Sequence, residues 1–142
     1  SSVGIAPMPL VAAYTASKYA IEGFSESFAY EMGCFGVRVK VVQPGLAPTT
    51  RFATNSGGRC DAALPSDYLD YAGRYLKSMQ DYPTAYTHAS DVAEAVYAAA
   101  TDGRDQLRYP AGADSVMLTV LRQSLSEPAF RERVRAMTGG AV

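Results

Sequence analysis

One feature in the first third of the chain most constrains the fold: a helical pattern is followed by a run of β-branched residues. Residues 12–32 place small or apolar side chains at helical spacing, and two glycines end the pattern. Residues 37–42, which read VRVKVV, favour a strand. Pro44-Gly45 then places a turn at the carboxyl end of that strand, where open α/β sheets bind their ligands. The passage predicts an α/β fold with a ligand beside this turn.

The predicted helix has an apolar stripe and a more polar edge. The stripe consists of Ala16, Ala20, Phe24 and Phe28, widened by Ile21 and Met32. The edge, which we expect to face solvent or another subunit, contains Tyr19, Glu22, Glu26 and Tyr30.

Tyr14 and Lys18 open this helix four residues apart, so that both side chains leave the same face. An ammonium near a phenol favours the phenolate, and lowers a phenol pKa that is ordinarily about 10. The pair therefore predicts a proton donor and acceptor for acid/base catalysis.

The residues around this pair resemble the second half of a classical short-chain dehydrogenase/reductase. The match includes Ser1, thirteen residues before Tyr14, the Ala-Ser between the tyrosine and the lysine, Glu31, and the Pro-Gly-x-x-x-Thr segment at residues 44–49. Residues 91–96 and 108–114 also resemble the later helix and last strand of that family. The resemblance implies a Rossmann-like, doubly wound parallel sheet of class α/β, of which this chain represents the C-terminal half.

The resemblance also implies the catalytic roles. Tyr14 would be the general acid/base, Lys18 would lower the pKa of that phenol and hydrogen-bond the nicotinamide ribose, and Ser1 would hold the substrate oxygen. One residue of loop variation would move the serine role to Ser2.

The implied cofactor is NAD or NADP. Pro44, Gly45 and Leu46 would shape the wall near the nicotinamide, with backbone groups meeting its carboxamide, and Thr49 would approach the carboxamide or the pyrophosphate. Tyr14 and Lys18 would complete the cofactor-binding set.

The chain contains no glycine-rich turn of the kind that binds a pyrophosphate at a helix N-terminus. We therefore expect residues 1–142 to be the C-terminal half of a single NAD(P)-binding domain, whose activity requires the half upstream. On its own, the chain would be an inactive fragment.

Residues 50–83 are predicted to form a lid over the substrate. The first part has no helical or strand period, and Ser66 is predicted to cap a helix that ends before Pro83. Four tyrosines either line an apolar or aromatic substrate pocket or simply pack: Tyr68, Tyr71, Tyr75 and Tyr82.

The remaining residues predict a helix, a strand and a second helix. Residues 91–100 favour a surface helix with acidic residues in its first turn. Residues 107–118 are expected to be the last strand, and residues 121–137 an amphipathic helix broken near Pro128. His88, the one histidine of the chain, is predicted to be structural, because a single histidine cannot assemble a metal site.

Composition excludes several classes of function. The net charge of −1 gives no basis for binding nucleic acid or an anionic membrane, and no apolar run is long enough to cross a bilayer. Cys34 and Cys60 have neither metal-site nor disulfide spacing, which indicates free thiols in a reducing compartment, and we expect a cytoplasmic protein. No metal is expected.

The sequence predicts an oxidoreductase that interconverts a secondary alcohol and a carbonyl with NAD(P)(H), as a homodimer or homotetramer. Alternatives are a non-catalytic NAD(P)-binding or scaffolding relative, and a sugar-nucleotide epimerase or dehydratase of the extended branch. The Ala-Ser-Lys context, the Pro-Gly-x-x-x-Thr turn and the short C-terminal region fit the classical branch better. Substrate, cofactor choice and reaction direction are left open.

Overall fold

The computed structural model describes residues 1–52, 55, 64–82 and 84–140. Among them, short 3-10 turns cover Ser2–Gly4 and Ser66–Tyr68. The longer elements are α1 (Ala12–Gly33), β1 (Val41–Pro44), α2 (Leu69–Gln80), α3 (Ala89–Thr101), β2 (Arg108–Ala111), α4 (Ala113–Ser124) and α5 (Glu127–Met137).

The two strands pair in parallel, as the predicted fold class requires. Val41 lies opposite Arg108, and the register continues to Pro44 opposite Ala111. The connection between them contains α2 and α3, and α3 packs against both strands. The α/β prediction, with this chain as part of a Rossmann-like sheet, is confirmed.

The apolar core lies between α4, α5 and the segment after the first 3-10 turn. Leu118 is fully buried and Phe130 nearly so, and each contributes about 1.5–3 kcal/mol through the apolar surface that it removes from water. The cluster is completed by Ile5, Ala6, Val134 and Met137.

Helix α1 has the predicted length, but not the predicted orientation. Ala16, Ala20 and Phe24 of the apolar stripe are exposed. Glu22, predicted for the solvent or subunit edge, is 8% exposed and lies against the sheet. The helical pattern located α1, but polar partners on the strands decide which face turns inward. The prediction that Glu22 lies on an outer edge is wrong.

Strand β1 begins later than predicted. Residues 37–40 are not in a strand, and the side chains of Arg38 and Lys40 donate instead to the carbonyls of Gly103 and Arg104. The strand still ends at Pro44, so that the predicted position of the turn is confirmed.

The prediction of one long strand over residues 107–118 is wrong. Strand β2 ends at Ala111, and Gly112, with φ of 90°, turns the chain directly into α4. A Cβ on Gly112 would come within 1.9 Å of the Thr87 Oγ1. The predicted break near Pro128 agrees with the structure, in which α4 ends at Ser124 and α5 begins at Glu127, with Pro128 in the first turn of α5.

In the part of the chain that the structure describes, none of the helices is long and apolar enough to span a bilayer.

Candidate active site

Tyr14 and Lys18 lie on the first two turns of α1 and are both half-buried. The Lys18 Nζ lies 5.1 Å from the centroid of the Tyr14 ring. An ammonium at this distance over an aromatic face is attracted by the ring quadrupole. The two side chains are thus placed together as the spacing predicted.

Ser1 joins this pair. The Tyr14 hydroxyl donates to the Ser1 Oγ at 3.4 Å, and the Ser1 Oγ also accepts from the Val3 amide as the cap of the first 3-10 turn. Ser2 is 8% exposed, inside that turn. The structure therefore brings Ser1, rather than Ser2, to the phenol. The bond from Tyr14 to Ser1, at 3.4 Å, is weak enough for a ligand to replace it.

The Pro44-Gly45-Leu46 turn follows β1, and its amides already have partners within the chain. The Gly45 amide donates to the Ala111 carbonyl at 3.0 Å, and the Leu46 amide donates to the Asp114 Oδ2 at 2.6 Å. The Leu46 carbonyl accepts from the Thr87 amide at 2.9 Å. Neither amide is therefore available to a carboxamide, although the turn can still form a wall.

Asp114 is the residue that fixes this turn. It is 1% exposed, and its Oδ1 accepts from the Thr87 Oγ1 at 2.6 Å and from the Ser115 amide at 2.9 Å. A Cβ on Gly45 would lie 1.9 Å from the same Oδ1, so that only glycine fits there. We did not predict this role from the sequence, because Asp114 was assigned to a strand.

The segment after the turn returns towards the phenol. The Thr50 amide donates to the Ala47 carbonyl at 3.2 Å, and Thr49 is exposed on this tight bend. The ring of Phe52 then lies 6.1 Å from that of Tyr14, centroid to centroid. Phe52, which is 56% exposed, was missed from the sequence and adds an aromatic surface beside the predicted acid/base.

Two of the lid tyrosines, Tyr75 and Tyr82, are partly buried. Burial, and then the Asp114 carboxylate, raise the pKa of Tyr82 to about 12, and burial raises the pKa of Tyr75. The rings of Tyr82 and Tyr86 stack at 5.9 Å. Tyr68 is half exposed. Much of the predicted lid, including residues 56–63 and Pro83, lies outside the described residues.

His88 and Cys34 make contacts of their own, outside this group of side chains. His88 is the N-cap of α3, and its amide donates to the Asp91 Oδ2 at 2.7 Å, which fits the predicted structural role. Cys34 is exposed and free, and Cys60 lies outside the described residues. Within the described ranges, no three His, Cys, Asp or Glu side chains gather as a metal site.

Comparison with known proteins matches the first part of the chain to one family. The family model described as short chain dehydrogenase matches residues 1–58, which include Ser1, Tyr14, Lys18 and the turn.

Curated relatives extend the similarity over most of the chain. An uncharacterised oxidoreductase of Schizosaccharomyces pombe is 34% identical over 135 residues, which cover 92% of this chain and 54% of that protein. The uncharacterised oxidoreductase YusZ of Bacillus subtilis is 33% identical over 124 residues, covering 86% of this chain and 44% of its own. A 3-ketodihydrosphingosine reductase of Bacteroides thetaiotaomicron is 38% identical over 77 residues, which cover 54% of this chain and 27% of that protein. The chain thus spans about half the length of the first two relatives.

Proposed function

Because the chain belongs to the short-chain dehydrogenase family, we propose that the complete protein is an NAD(P)-dependent oxidoreductase that interconverts a secondary alcohol and a carbonyl. We also propose that these residues are the C-terminal half of one NAD(P)-binding domain, with residues 50–83 as its substrate lid. The observation that carries the proposal is the grouping of Ser1, Tyr14 and Lys18 at the start of α1.

Each of the three side chains has a chemical task in this proposal. In the direction of reduction, the Tyr14 hydroxyl gives its proton to the carbonyl oxygen, and in oxidation the phenolate takes that proton back. The ammonium of Lys18 stabilises the phenolate throughout. The Ser1 hydroxyl, which already reaches the phenol, holds the substrate oxygen beside it.

The donor set on α1 fits a nicotinamide ribose, since it offers one ammonium and one phenol hydroxyl on a single helix face. The bound nicotinamide would supply or accept the hydride. The amide donors of Gly45 and Leu46 do not fit the carboxamide contact that the resemblance implied, because both are bonded inside the chain. These residues and Pro44 would act as a wall, with Thr49 exposed on the bend beyond it.

A large apolar substrate is the class that we propose for this site. The half-exposed ring of Phe52 lies against Tyr14, and would contact an apolar body whose oxygen reaches the phenol. The sphingoid ketone named for the Bacteroides relative is a substrate of this kind.

The test is the substitution Tyr14→Phe in the complete protein. Oxidation of NADH or NADPH would be followed by absorbance with 3-ketodihydrosphingosine and with a 3-oxosteroid as probes. Turnover should fall by about 10²–10⁴-fold, as expected for a lost general acid/base, while cofactor binding is kept. Tyr97→Phe is the control, because Tyr97 is 72% exposed on α3, outside the proposed site and the proposed subunit contact, and it should retain wild-type turnover.

Lys18→Met should lower both turnover and cofactor affinity, since its ammonium serves the phenol and the ribose. Ser1→Ala should lower turnover alone, and a larger effect of Ser2→Ala would move the serine role by one residue. Near wild-type carbonyl reduction by Tyr14→Phe would reject Tyr14 as the general acid/base. Wild-type protein that binds the cofactor but reduces neither probe would favour the non-catalytic cofactor-binding alternative.

We also propose that the complete protein is a homodimer or homotetramer that associates through α1. Phe24 and Tyr30 leave a large apolar area of this helix exposed, at 65% and 76%. Tyr19 and Tyr30 remain candidates for the contact, whereas Glu22 and Glu26 bind Arg108 instead. Sedimentation of a stable, active monomer at micromolar concentration would contradict the proposal.

A further inference from the structure

Glu22 is a buried carboxylate on α1, one turn beyond Lys18. Its Oε1 accepts from the Gln43 Nε2 at 2.9 Å, and its Oε2 accepts from the Arg108 Nε at 2.9 Å. A carboxylate is stable in such a position only when it is paired and hydrogen-bonded, and here each oxygen has its own donor. The side chain therefore ties the helix to both strands.

Gln43 is itself held from two sides. It is 2% exposed in β1, two residues before Gly45, and its carbonyl accepts from the Ser115 Oγ at 2.7 Å. Its side chain is bonded to Glu22 on the opposite flank. Gln43 thus links α1 to the end of β1.

The Glu22 side chain also packs against the turn that carries Ser1. A Cβ on Gly4 would lie 3.1 Å from the Glu22 Cγ and 3.3 Å from its Oε1. The absence of a side chain at Gly4 lets the 3-10 turn lie close to the carboxylate. Glu22 accordingly touches the elements that present the serine, the tyrosine-lysine pair and the Pro44-Gly45-Leu46 turn.

We propose that Glu22 is a positioning residue for the reaction, which sets the Tyr14 and Lys18 face of α1 relative to the turn after β1. This inference rests on the proposed function, since it concerns the geometry of that same site. It goes beyond the proposed function because Glu22 touches neither substrate nor cofactor, and acts through Gln43.

Glu26 provides a matched control on the same helix. Its Oε2 pairs with the Arg108 Nη2 at 2.7 Å, but its side chain is half exposed and has no bond to Gln43. Loss of Glu26 removes one ion pair to the same arginine and leaves the link between α1 and β1 intact.

The experiment measures the Kd of the complete protein for NADH and for NADPH by fluorescence titration, together with the thermal unfolding midpoint. Glu22→Leu should raise the Kd for the more tightly bound of the two cofactors about tenfold, because small displacements of binding groups have effects of this size or larger. Glu26→Leu should leave the Kd unchanged. Glu22→Gln should restore the Kd to within about threefold of wild type, because a flipped Gln43 amide can still bond to it.

A purely structural role predicts a different result, in which Glu22→Leu lowers the unfolding midpoint but binds cofactor normally well below that midpoint. That result would overturn the inference. If Glu22→Leu does not fold, Gln43→Leu gives the same test, since it removes the link to α1 and keeps the ion pair of Glu22 with Arg108. A normal Kd in Gln43→Leu would then reject the inference.

The inference and the proposed function fail in distinguishable ways. Wild-type protein that binds neither NADH nor NADPH would reject the proposed function, and the inference with it. Wild-type binding, an inactive Tyr14→Phe and normal binding by the Glu22 and Gln43 variants would reject the inference alone.

Discussion

The turn after β1 and the start of α1 belong to the same candidate site, but they use their polar groups in opposite ways. In the turn, the Gly45 and Leu46 amides and the Leu46 carbonyl are all bonded within the chain, two of them to groups closer than 3.0 Å. On α1, within the part of the chain that the structure describes, the Tyr14 hydroxyl donates to Ser1 at 3.4 Å and the Lys18 ammonium lies over the face of the Tyr14 ring.

This difference indicates that the turn after β1 has a structural role and that the start of α1 has a chemical one. Buried polar groups must be satisfied inside the fold, and the Asp114 carboxylate accepts from the Leu46 amide of the turn as well as from Thr87 and Ser115. Groups that exchange protons with a ligand need partners that they can leave. The comparison predicts that changes to the turn act mainly on stability, and that changes to the start of α1 act mainly on turnover.

Asp114→Ala should give the largest loss of stability. It leaves the Leu46 and Ser115 amides without their acceptor and the Thr87 hydroxyl with the Ala111 carbonyl at 3.2 Å, at a cost of about 3 kcal/mol or more in the free energy of unfolding. Urea unfolding of the complete protein measures this loss. The control is Asp91→Ala, which removes an acceptor at the start of α3 and should cost about 1 kcal/mol. Equal losses in the two variants would contradict the special role of Asp114.

Gly45→Ala should have a smaller but clear effect. The added Cβ would lie 1.9 Å from the Asp114 Oδ1, so that the turn or the carboxylate must move, at about 1–3 kcal/mol. Gly23→Ala is the matched control, because it lies in the middle of α1 with no atom within 4 Å of its added Cβ. It should stabilise the protein by up to about 1 kcal/mol through helix propensity. The same unfolding measurement tests both, and a Gly45→Ala variant as stable as wild type would show that the turn is not rigid.

The same contrast explains what could be predicted from the sequence. Tyr14 and Lys18 are neighbours through helix geometry alone, and the position of Pro44-Gly45 after a β-branched run follows from local preference, so both predictions agree with the structure. Ser1 was placed by resemblance, and its contact with Tyr14 spans thirteen residues.

The long-range partners could not be predicted in this way. Glu22 and Arg108 are 86 residues apart, and Leu46 and Asp114 are 68 apart, so that no local pattern connects them. Residue type led to two wrong predictions. Glu22 was expected on an outer edge because a glutamate on a helix normally faces solvent, and Asp114 was expected in a strand because it follows a run that favours one. Gly112, whose positive φ follows the end of β2 at Ala111, is a residue type in that run that allows such a break.

Tyr82→Phe should give the smallest effect, and it tests how closely the lid region is joined to the turn. Burial and the nearby Asp114 carboxylate raise the pKa of Tyr82 to about 12, against about 10 for an unfolded chain. Between these values the unfolded state loses a proton that the folded state keeps, so that this group's stabilisation is complete below pH about 10 and is lost as the pH rises to about 12. The loss should be about 1 kcal/mol, because Tyr82 is only partly buried and solvent screens its charge.

Urea unfolding midpoints measured across this pH range should fall less steeply in Tyr82→Phe than in wild type. Tyr19 and Tyr75, whose pKa values are also raised, keep part of the slope in both proteins. Tyr97→Phe, at a phenol that is 72% exposed on α3, is the control and should keep the wild-type slope. Identical slopes in Tyr82→Phe and Tyr97→Phe would mean that Tyr82 is not held against the Asp114 network in solution.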